Sequence, residues 1–253
     1  MHKSLVFMFV LLSPLLHAQD SELNALVVQA EAGDIESQYQ LGLYYDSDSE
    51  TDRDYTAAAR WYREAAQQGH IAAQYNLAQL YRIGQGLEAD MQQALYWFMQ
   101  AAEAGNDPLA QFTLGDIHRY GEGVVANPFE AFRWYILAAE QTLPEAEFIV
   151  GLWLADGIGA PENDFLALSW LRKAAAQGMT DAFYELGSMY AEGEGISTDL
   201  QQAYVWYSVA VELGLVRAQN QRDTVTSMLE AQQLETARQD VRQCIASELS
   251  ECE

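Results

Sequence analysis

The sequence predicts an all-α protein built as a solenoid of stacked helix–turn–helix repeats. Tryptophans recur along the chain at separations of 36, 37, 36 and 36 residues, at Trp61, Trp97, Trp134, Trp170 and Trp206. Gly-x-Gly pairs recur at the same interval, and the segments between them carry apolar residues at helical spacing. Self-similarity at a fixed period of this length is the sequence signature of repeat proteins.

The N-terminal residues 1–18 differ in character from the repeats. Lys3 is followed by an apolar stretch, Leu5 to Leu16, that is too short to cross ~30 Å of hydrocarbon. The small residue Ala18 then offers a cleavage position. We therefore predict a secretory signal peptide that is cut after Ala18, so that the protein is exported and does not insert in the membrane after cleavage. The alternative is an uncleaved membrane anchor.

The mature chain divides into caps and repeats. Residues 19–33 are predicted to form an N-terminal capping helix, because apolar residues at Leu23, Leu26 and Val27 share one helical face. Five repeats follow, at about residues 34–69, 70–105, 106–141, 142–178 and 179–214. Residues 215–244 are predicted to form C-terminal capping helices, and residues 245–253 a frayed acidic tail.

Each repeat is predicted to contain a helix A, a glycine turn and a helix B. Small residues on helix A indicate close packing, since glycine inside a helix costs ~0.5–1 kcal/mol relative to alanine. Asn127 before Pro128 is a typical start for a helix B. Thr198 with Gln201 fits a capping box at the last helix B.

These residues resemble the Sel-one-like repeat, a longer relative of the tetratricopeptide repeat. The shared pattern is A-x-x-x-L-G-x-x-Y-x-x-G-x-G, then an aspartate, then A-x-x-W-Y-x-x-A-A-x-x-G, and it covers about residues 34–214. In the fifth copy it is carried by Leu186, Gly187, Tyr190, Gly193, Gly195, Asp199, Ala203, Trp206 and Ala210. The resemblance implies a right-handed α-solenoid with A helices on its concave face, and a role as an adaptor that holds other proteins or peptides.

The variable positions of helix A are then the candidate binding residues. They are the turn-spaced positions that the repeat pattern leaves free, and they would line a groove that is polar at both ends and apolar near the fourth repeat. We predict that a protein or peptide partner binds there. The positions are Gln40, Leu43, Asn76, Gln79, Thr113, Asp116, Ile149, Leu152, Glu185 and Ser188.

The charge of the chain excludes some partners. The net charge is −24, and removal of the segment with Lys3 takes it to −25. Nucleic acid needs clustered Lys and Arg, so it is not expected to bind. The acidity is compatible with a basic partner, or with solubility alone.

No residue pattern points to a reaction centre, a cofactor or a metal. His70 and His118 lie in different repeats and lack catalytic or metal-ligand spacing, so both are expected to be surface or packing residues. The two cysteines, Cys244 and Cys252, are both near the C-terminus, where they could pair in an oxidising compartment or remain free. A pair would tie down the tail rather than the core.

Two repeats depart from the pattern. In the first, residues 46–52 replace the glycine turn with alternating acids, which is either a solvated loop or a calcium loop that lacks its glycine and bidentate glutamate. In the fourth, helix A is apolar almost all round. It is either the most buried helix of the array or an apolar patch in the groove.

The signal peptide and the resemblance together predict a non-enzymatic exported scaffold in the periplasm, and the resemblance implies a Gram-negative bacterium. One alternative is a cell-wall hydrolase with an unrecognised carboxylate site, for which converging acids in the groove would be the sign. Another is a secreted effector that acts on a host protein.

Overall fold

The computed structural model describes residues 13–47, 53–247, 249 and 252, with side chains from residue 22 onward. Every regular element within these residues is a helix, which confirms the predicted all-α class. The chain divides into two units, Met1–Ala110 and Gln111–Glu253, and the boundary falls within one helix.

The first unit contains the N-terminal helix and the first two repeats. Leu23, Leu26 and Val27 of the N-terminal helix pack on a small cluster formed by Ala30, Leu41 and Trp61. Helices of one repeat pack on each other, and helix B packs on the next helix A. The helices are α1 (Ser13–Glu31), α2 (Ile35–Asp46), α3 (Tyr55–Gln67), α4 (Ile71–Ile83) and α5 (Met91–Met99), which continues as a π-helical turn (Gln100–Ala104).

The second unit contains the remaining repeats and the C-terminal helices. Its core joins residues of successive repeats from Ala131 to Cys252 in one cluster. The helices are α6 (Pro108–Tyr120), whose first three residues belong to the first unit, α7 (Pro128–Glu140), α8 (Pro144–Ala155), α9 (Asp164–Ala176), α10 (Thr180–Glu192), α11 (Leu200–Glu212), α12 (Ala218–Met228) and α13 (Ala231–Ala246).

Every helix B begins at the same capping position. The residue before each helix B is Asp or Asn, and its side chain accepts a hydrogen bond from a backbone N–H of the first turn. The five caps are Asp54, Asp90, Asn127, Asn163 and Asp199. The predicted capping box of Thr198 and Gln201 was wrong, because Asp199 is the cap and accepts from the backbone of Gln201.

Glycine on helix A makes room for the aromatic ring of helix B. A Cβ atom on Gly115 would lie 2.5 Å from the ring of Tyr135, and one on Gly187 would lie 2.7 Å from the ring of Tyr207. Both distances are far below van der Waals contact, so any larger residue would push the two helices of the repeat apart. This is the close packing that small residues on helix A predicted.

The tryptophans of helix B are core residues with one exception. Trp61, Trp97, Trp134 and Trp206 are buried. Trp170 is half-buried and holds the ammonium of Lys173 3.6 Å above its ring. In the fourth repeat the core gains a tryptophan on helix A instead, because Trp153 is buried against the ring of Tyr135.

The C-terminal tail differs from the frayed segment that we predicted. Cys244 and Cys252 are joined by a disulfide, and both belong to the core cluster of the second unit. Leu249 packs on the same cluster. The bond therefore ties the tail to the core.

Three predictions fall partly outside the described residues. Residues 1–12 of the predicted signal peptide, residues 48–52 of the acidic loop, and residues 248, 250, 251 and 253 of the predicted tail are not described. In the described part of the chain, no helix has the length and apolar character that a membrane span requires.

Candidate functional site

In the first unit, the predicted binding positions lie on α2 and α4. Gln40 and Leu43 are exposed, and Gln40 donates a hydrogen bond to Glu36 at 2.7 Å. Gln79 is half-buried and donates to the hydroxyl of Tyr75 at 2.9 Å. Among the predicted positions of the first unit, Gln40 and Leu43 are therefore the most accessible to a partner.

Asn76 lies beside Tyr39 and Tyr62, and its side chain acts on the pKa of both hydroxyls. The hydroxyl of Tyr62 donates to Asp46 at 3.0 Å, and burial, with the nearby Asp46 carboxylate, raises the pKa of Tyr62. Tyr62 therefore stays protonated and keeps donating to Asp46, and Asn76 is half-buried next to this pair.

In the second unit, Thr113 and Asp116 of α6 face the core more than solvent. Thr113 is buried, so its side chain offers little surface. Asp116 accepts a hydrogen bond of 2.6 Å from the hydroxyl of Tyr135, whose pKa is raised chiefly by burial. Asp116 is therefore engaged in joining the two helices of its repeat.

Ile149 and Leu152 of α8 are half-buried and pack on the core cluster. Val150, Trp153 and Leu154 of the same helix are buried. The apolar character of this helix is thus mostly core packing, with Ile149 and Leu152 keeping part of their surface open to solvent.

Glu185 and Ser188 of α10 lie among polar and aromatic groups. Burial raises the pKa of Glu185, and the guanidinium of Arg217, 3.6 Å from its carboxylate, opposes the shift. Ser188 donates to Glu192 at 3.4 Å. Arg217 also lies 4.5 Å from the centre of the Tyr184 ring, so it is fixed from two sides.

An aromatic row on helix A was not predicted as part of the site. One half-buried aromatic residue occurs at the same position of every repeat and contacts the aromatic residue of helix B in four of them. Its spacing repeats that of the tryptophans, and this signal was present in the sequence. The row is Tyr39, Tyr75, Phe112, Phe148 and Tyr184.

His70 has a structural role. It is the N-cap of α4, since its Nδ1 accepts from the backbone N–H of Ala73 at 3.2 Å. The proton then lies on Nε2, which faces the carboxylate of Glu36 at 3.3 Å, and the ring stacks on Tyr39 at 4.2 Å. His118 is half-buried near the end of α6.

The polar groups at these positions are arranged mainly as hydrogen-bond partners of neighbouring side chains. Across residues 13–47, 53–247, 249 and 252, no cluster of three or more His, Cys, Asp or Glu side chains is arranged to hold a metal ion. The polar groups on the A helices are bonded to tyrosines, arginines and other polar groups of the repeats. They form a preorganised surface with donors, acceptors and apolar contacts at fixed places.

Comparison with a protein-family model identifies the same five units. The Sel1 repeat model matches residues 35–70, 71–106, 108–143, 144–179 and 180–215. These ranges lie close to the repeat boundaries predicted from the tryptophan spacing. No curated protein sequence matches this chain.

Several solved structures are similar to this chain. A Sel1 repeat protein from Oxalobacter formigenes is 32% identical, with a TM-score of 0.71, and the alignment covers 81% of this chain. This chain spans 59% of the length of that protein. A putative Sel1 repeat protein from Klebsiella pneumoniae is 28% identical, covering 78% of this chain and 96% of its own, with a TM-score of 0.46. The Escherichia coli protective antigen c5321 is 25% identical, covering 91% and 65%, with a TM-score of 0.46.

Proposed function

Since this chain belongs to the Sel1 repeat family, whose members generally serve as protein-interaction scaffolds and are typically non-catalytic, we propose that it is an exported scaffold. In this proposal, the surface of its A helices binds a protein or peptide partner. The observation that carries the proposal is that, within each unit, the variable residues of the A helices are set in place by repeated core positions around them.

The surface of the second unit supports this proposal most strongly. Ile149 and Leu152 offer apolar contacts on α8, and Glu185 offers a half-buried carboxylate on α10. Each side chain is placed by core packing or by a charged neighbour, so little conformational entropy is lost when a partner binds. An extended segment could make many modest contacts along such a surface.

Two observations support export. The apolar N-terminal stretch has the composition of a signal peptide. The disulfide between Cys244 and Cys252 is of a kind that persists in oxidising compartments and is rare in the cytosol. Together they favour an exported protein. The periplasm of a Gram-negative bacterium is the compartment that we propose by analogy with the family, with secretion to the medium as the alternative.

Crosslinking in a Gram-negative host tests the binding surface. The variant Ile149→Gln/Leu152→Gln/Glu185→Gln removes accessible contacts of the second unit. Asp116 stays unchanged because it bonds to the buried Tyr135, and Asn76 stays unchanged because it lies beside Tyr39 and Tyr62. After crosslinking, affinity capture and mass spectrometry, a partner recovered with the wild type should be absent from the triple variant.

The control is Leu213→Gln/Val216→Gln, which replaces exposed apolar side chains just after α11. It should recover the partner as the wild type does, and both variants should melt cooperatively. Recovery of the same partner by the triple variant would place its binding site elsewhere on the molecule. Cell fractionation of the full chain separates the compartments, and protein confined to the cytoplasm would contradict export.

A further inference from the structure

Two phenylalanines stand out when the repeats are compared position by position. The second residue of helix B is polar in three repeats, as Thr56, Gln92 and Gln201, but it is Phe129 in α7 and Phe165 in α9. Their side chains are 70% and 73% exposed. Since three sibling helices begin without it, phenylalanine is not required for the fold at this position.

The residues near these phenylalanines depart from the repeat in the same direction. Val125 is 88% exposed and stands where the second repeat has Glu88. Ile158 is exposed and stands where the second repeat has Gln85. The apolar edge of the second unit is defined here as Val125, Phe129, Ile158, Phe165 and Leu166, all of which are exposed.

Backbone packing brings the part of the apolar edge that holds Ile158 next to the part that holds Phe129. A Cβ atom on Gly159 would lie 2.3 Å from the carbonyl oxygen of Pro128, so the turn that carries Ile158 touches the start of α7 next to Phe129. The same turn leads directly into α9 and Phe165. The two phenylalanines are one repeat apart. The turn that carries Ile158 contacts the start of α7, near Phe129, and precedes α9, which carries Phe165.

A hollow of about 330 Å³ lies beside Phe165 and is lined by Leu168, Ile196, Ser169 and Arg172. Its apolar walls and its volume suit a large apolar side chain. The guanidinium of Arg172 donates to the hydroxyl of Tyr190 and lies over that ring, so it is turned to helix α10 of the fifth repeat.

Acidic side chains surround the apolar edge. Glu130 follows Phe129 and pairs with Arg133 at 3.2 Å, while Asp164 precedes Phe165. Glu194 lies on the next turn, which touches Asp164 through Gly195. Partial burial raises the pKa of Glu194, and the charges of Glu192 and Asp164 raise it further.

We propose that the apolar edge is a second docking surface, for a protein segment whose apolar side chains are flanked by Lys and Arg. Apolar side chains of the partner cover Phe129 and Phe165 and fill the hollow, and its cations meet the surrounding carboxylates. Large exposed apolar patches rimmed by polar residues mark interaction sites in soluble proteins. This surface shares no residue with the binding surface that we propose on the A helices.

Charge decides between the possible occupants. A second copy of this chain would bring one acidic rim against another, and the net charge of −24 opposes self-association. An anionic membrane would be repelled in the same way. A basic amphipathic segment gains from both the apolar contact and the charges.

The test uses a fluorescein-labelled amphipathic helical peptide of leucine and lysine, with affinity measured by anisotropy at physiological salt. The double variant Phe129→Gln/Phe165→Gln places glutamine, which α5 and α11 have at this position, in α7 and α9. It leaves the net charge unchanged. We expect it to bind the peptide about tenfold more weakly than the wild type. The control Val216→Gln removes a 71% exposed side chain elsewhere and should bind like the wild type.

Matched peptides separate apolar contact from charge. A serine–lysine peptide of equal charge should bind every variant weakly, and a leucine–glutamate peptide should not bind. Equal affinity of the double variant and the wild type, or no binding by the wild type, would overturn the proposal. Phe-dependent dimerisation in sedimentation, or Phe-dependent binding to phosphatidylcholine–phosphatidylglycerol vesicles, would also overturn it.

A thermal melt verifies that the double variant folds. The other three B helices have a polar residue at this position, so we expect the melting temperature to be unchanged. If the double variant did not melt cooperatively, Phe165→Gln alone would decide, with peptide affinity expected to fall about threefold and an unchanged affinity overturning the proposal.

Discussion

At the scale of single residues, Glu147 is the buried group with the clearest consequence. It is 2% exposed, and the first three repeats carry glutamine at its position. Its carboxylate accepts from Gln177 at 2.7 Å, as Gln111 accepts from Gln141 in the third repeat. Burial raises the pKa of Glu147, while the Gln177 donor and the charge of Lys173 lower it.

The replacement Glu147→Gln should stabilise the protein at neutral pH, by roughly 1 kcal/mol, because a neutral amide keeps the hydrogen bond without a buried charge. The pKa of Glu147 is raised above its ordinary value of 4.5 in the folded state. The unfolded chain therefore loses this proton first, and the stability of the wild type falls as pH rises from that value through the raised pKa.

Urea unfolding in mild acid and at neutral pH measures this effect. The free energy of unfolding of the Glu147→Gln variant should lack the part of the pH dependence that Glu147 causes. In mild acid the variant should be no more stable than the wild type. Glu145→Gln, an exposed change on the same helix, is the control and should alter neither value. A variant less stable than the wild type at neutral pH would show that the carboxylate is needed there.

At the scale of helices, the tryptophans of helix B differ in burial and so in their contribution. Trp134→Ala should destabilise the protein by roughly 3–5 kcal/mol, because it leaves a cavity in the core. Trp170→Ala should cost clearly less, since Trp170 is half-buried and its ring already faces Lys173. Urea titrations of the two variants compare them directly, and equal losses would contradict the assigned burial.

The π-helical turn after α5 explains the single 37-residue interval. The extra residue lies between Trp97 and Pro108, where backbone bonds span five residues instead of four. The chain consequently reaches its left-handed residue at Asn106, with φ +51°, one position after Gly105. In the first repeat, the corresponding glycine, Gly69, is itself left-handed.

Deletion of Asn106 should restore the interval of the other repeats. Gly105 would then take the left-handed position at no steric cost, and the helix would return to α-helical bonding. We expect an unchanged or higher melting temperature by circular dichroism. Deletion of Ala94, which is buried in α5, is the control and should be strongly destabilising.

The repeated residues were enough to predict the helices. The structure at positions that depart from the repeat could not be predicted in the same way. The spacing of the tryptophans and glycines was enough to locate each helix pair. The π-helical turn was visible only as an extra residue, because a sequence interval does not say whether a helix or a loop absorbs it. Thr113 looked free in the pattern, but it is buried, since helical register alone does not show how neighbouring helices cover a face.

At the scale of the whole molecule, the disulfide holds the C-terminal end of the chain on the core of the second unit. Replacing Cys244 and Cys252 with serine should cost about 2 kcal/mol, as expected for a short closed loop. Thermal melts of the variant and of the reduced wild type should agree. A reduced protein that melts like the oxidised one would show that the tail packs without the bond.

Helices α12 and α13 both pack on α11, so the last complete repeat is covered on two sides. Ala218 of α12 still lies one repeat interval after Ala182 and is buried in the same way, which marks α12 as the remnant of a further helix A. This has an evolutionary consequence. A duplicated repeat inserted between α9 and α10 would pack on a helix B and a helix A, as every internal repeat does. A repeat added directly after α11 would have to displace α12 and α13, which pack on α11. Lengthening of such a gene is therefore expected by internal duplication rather than by additions at this end.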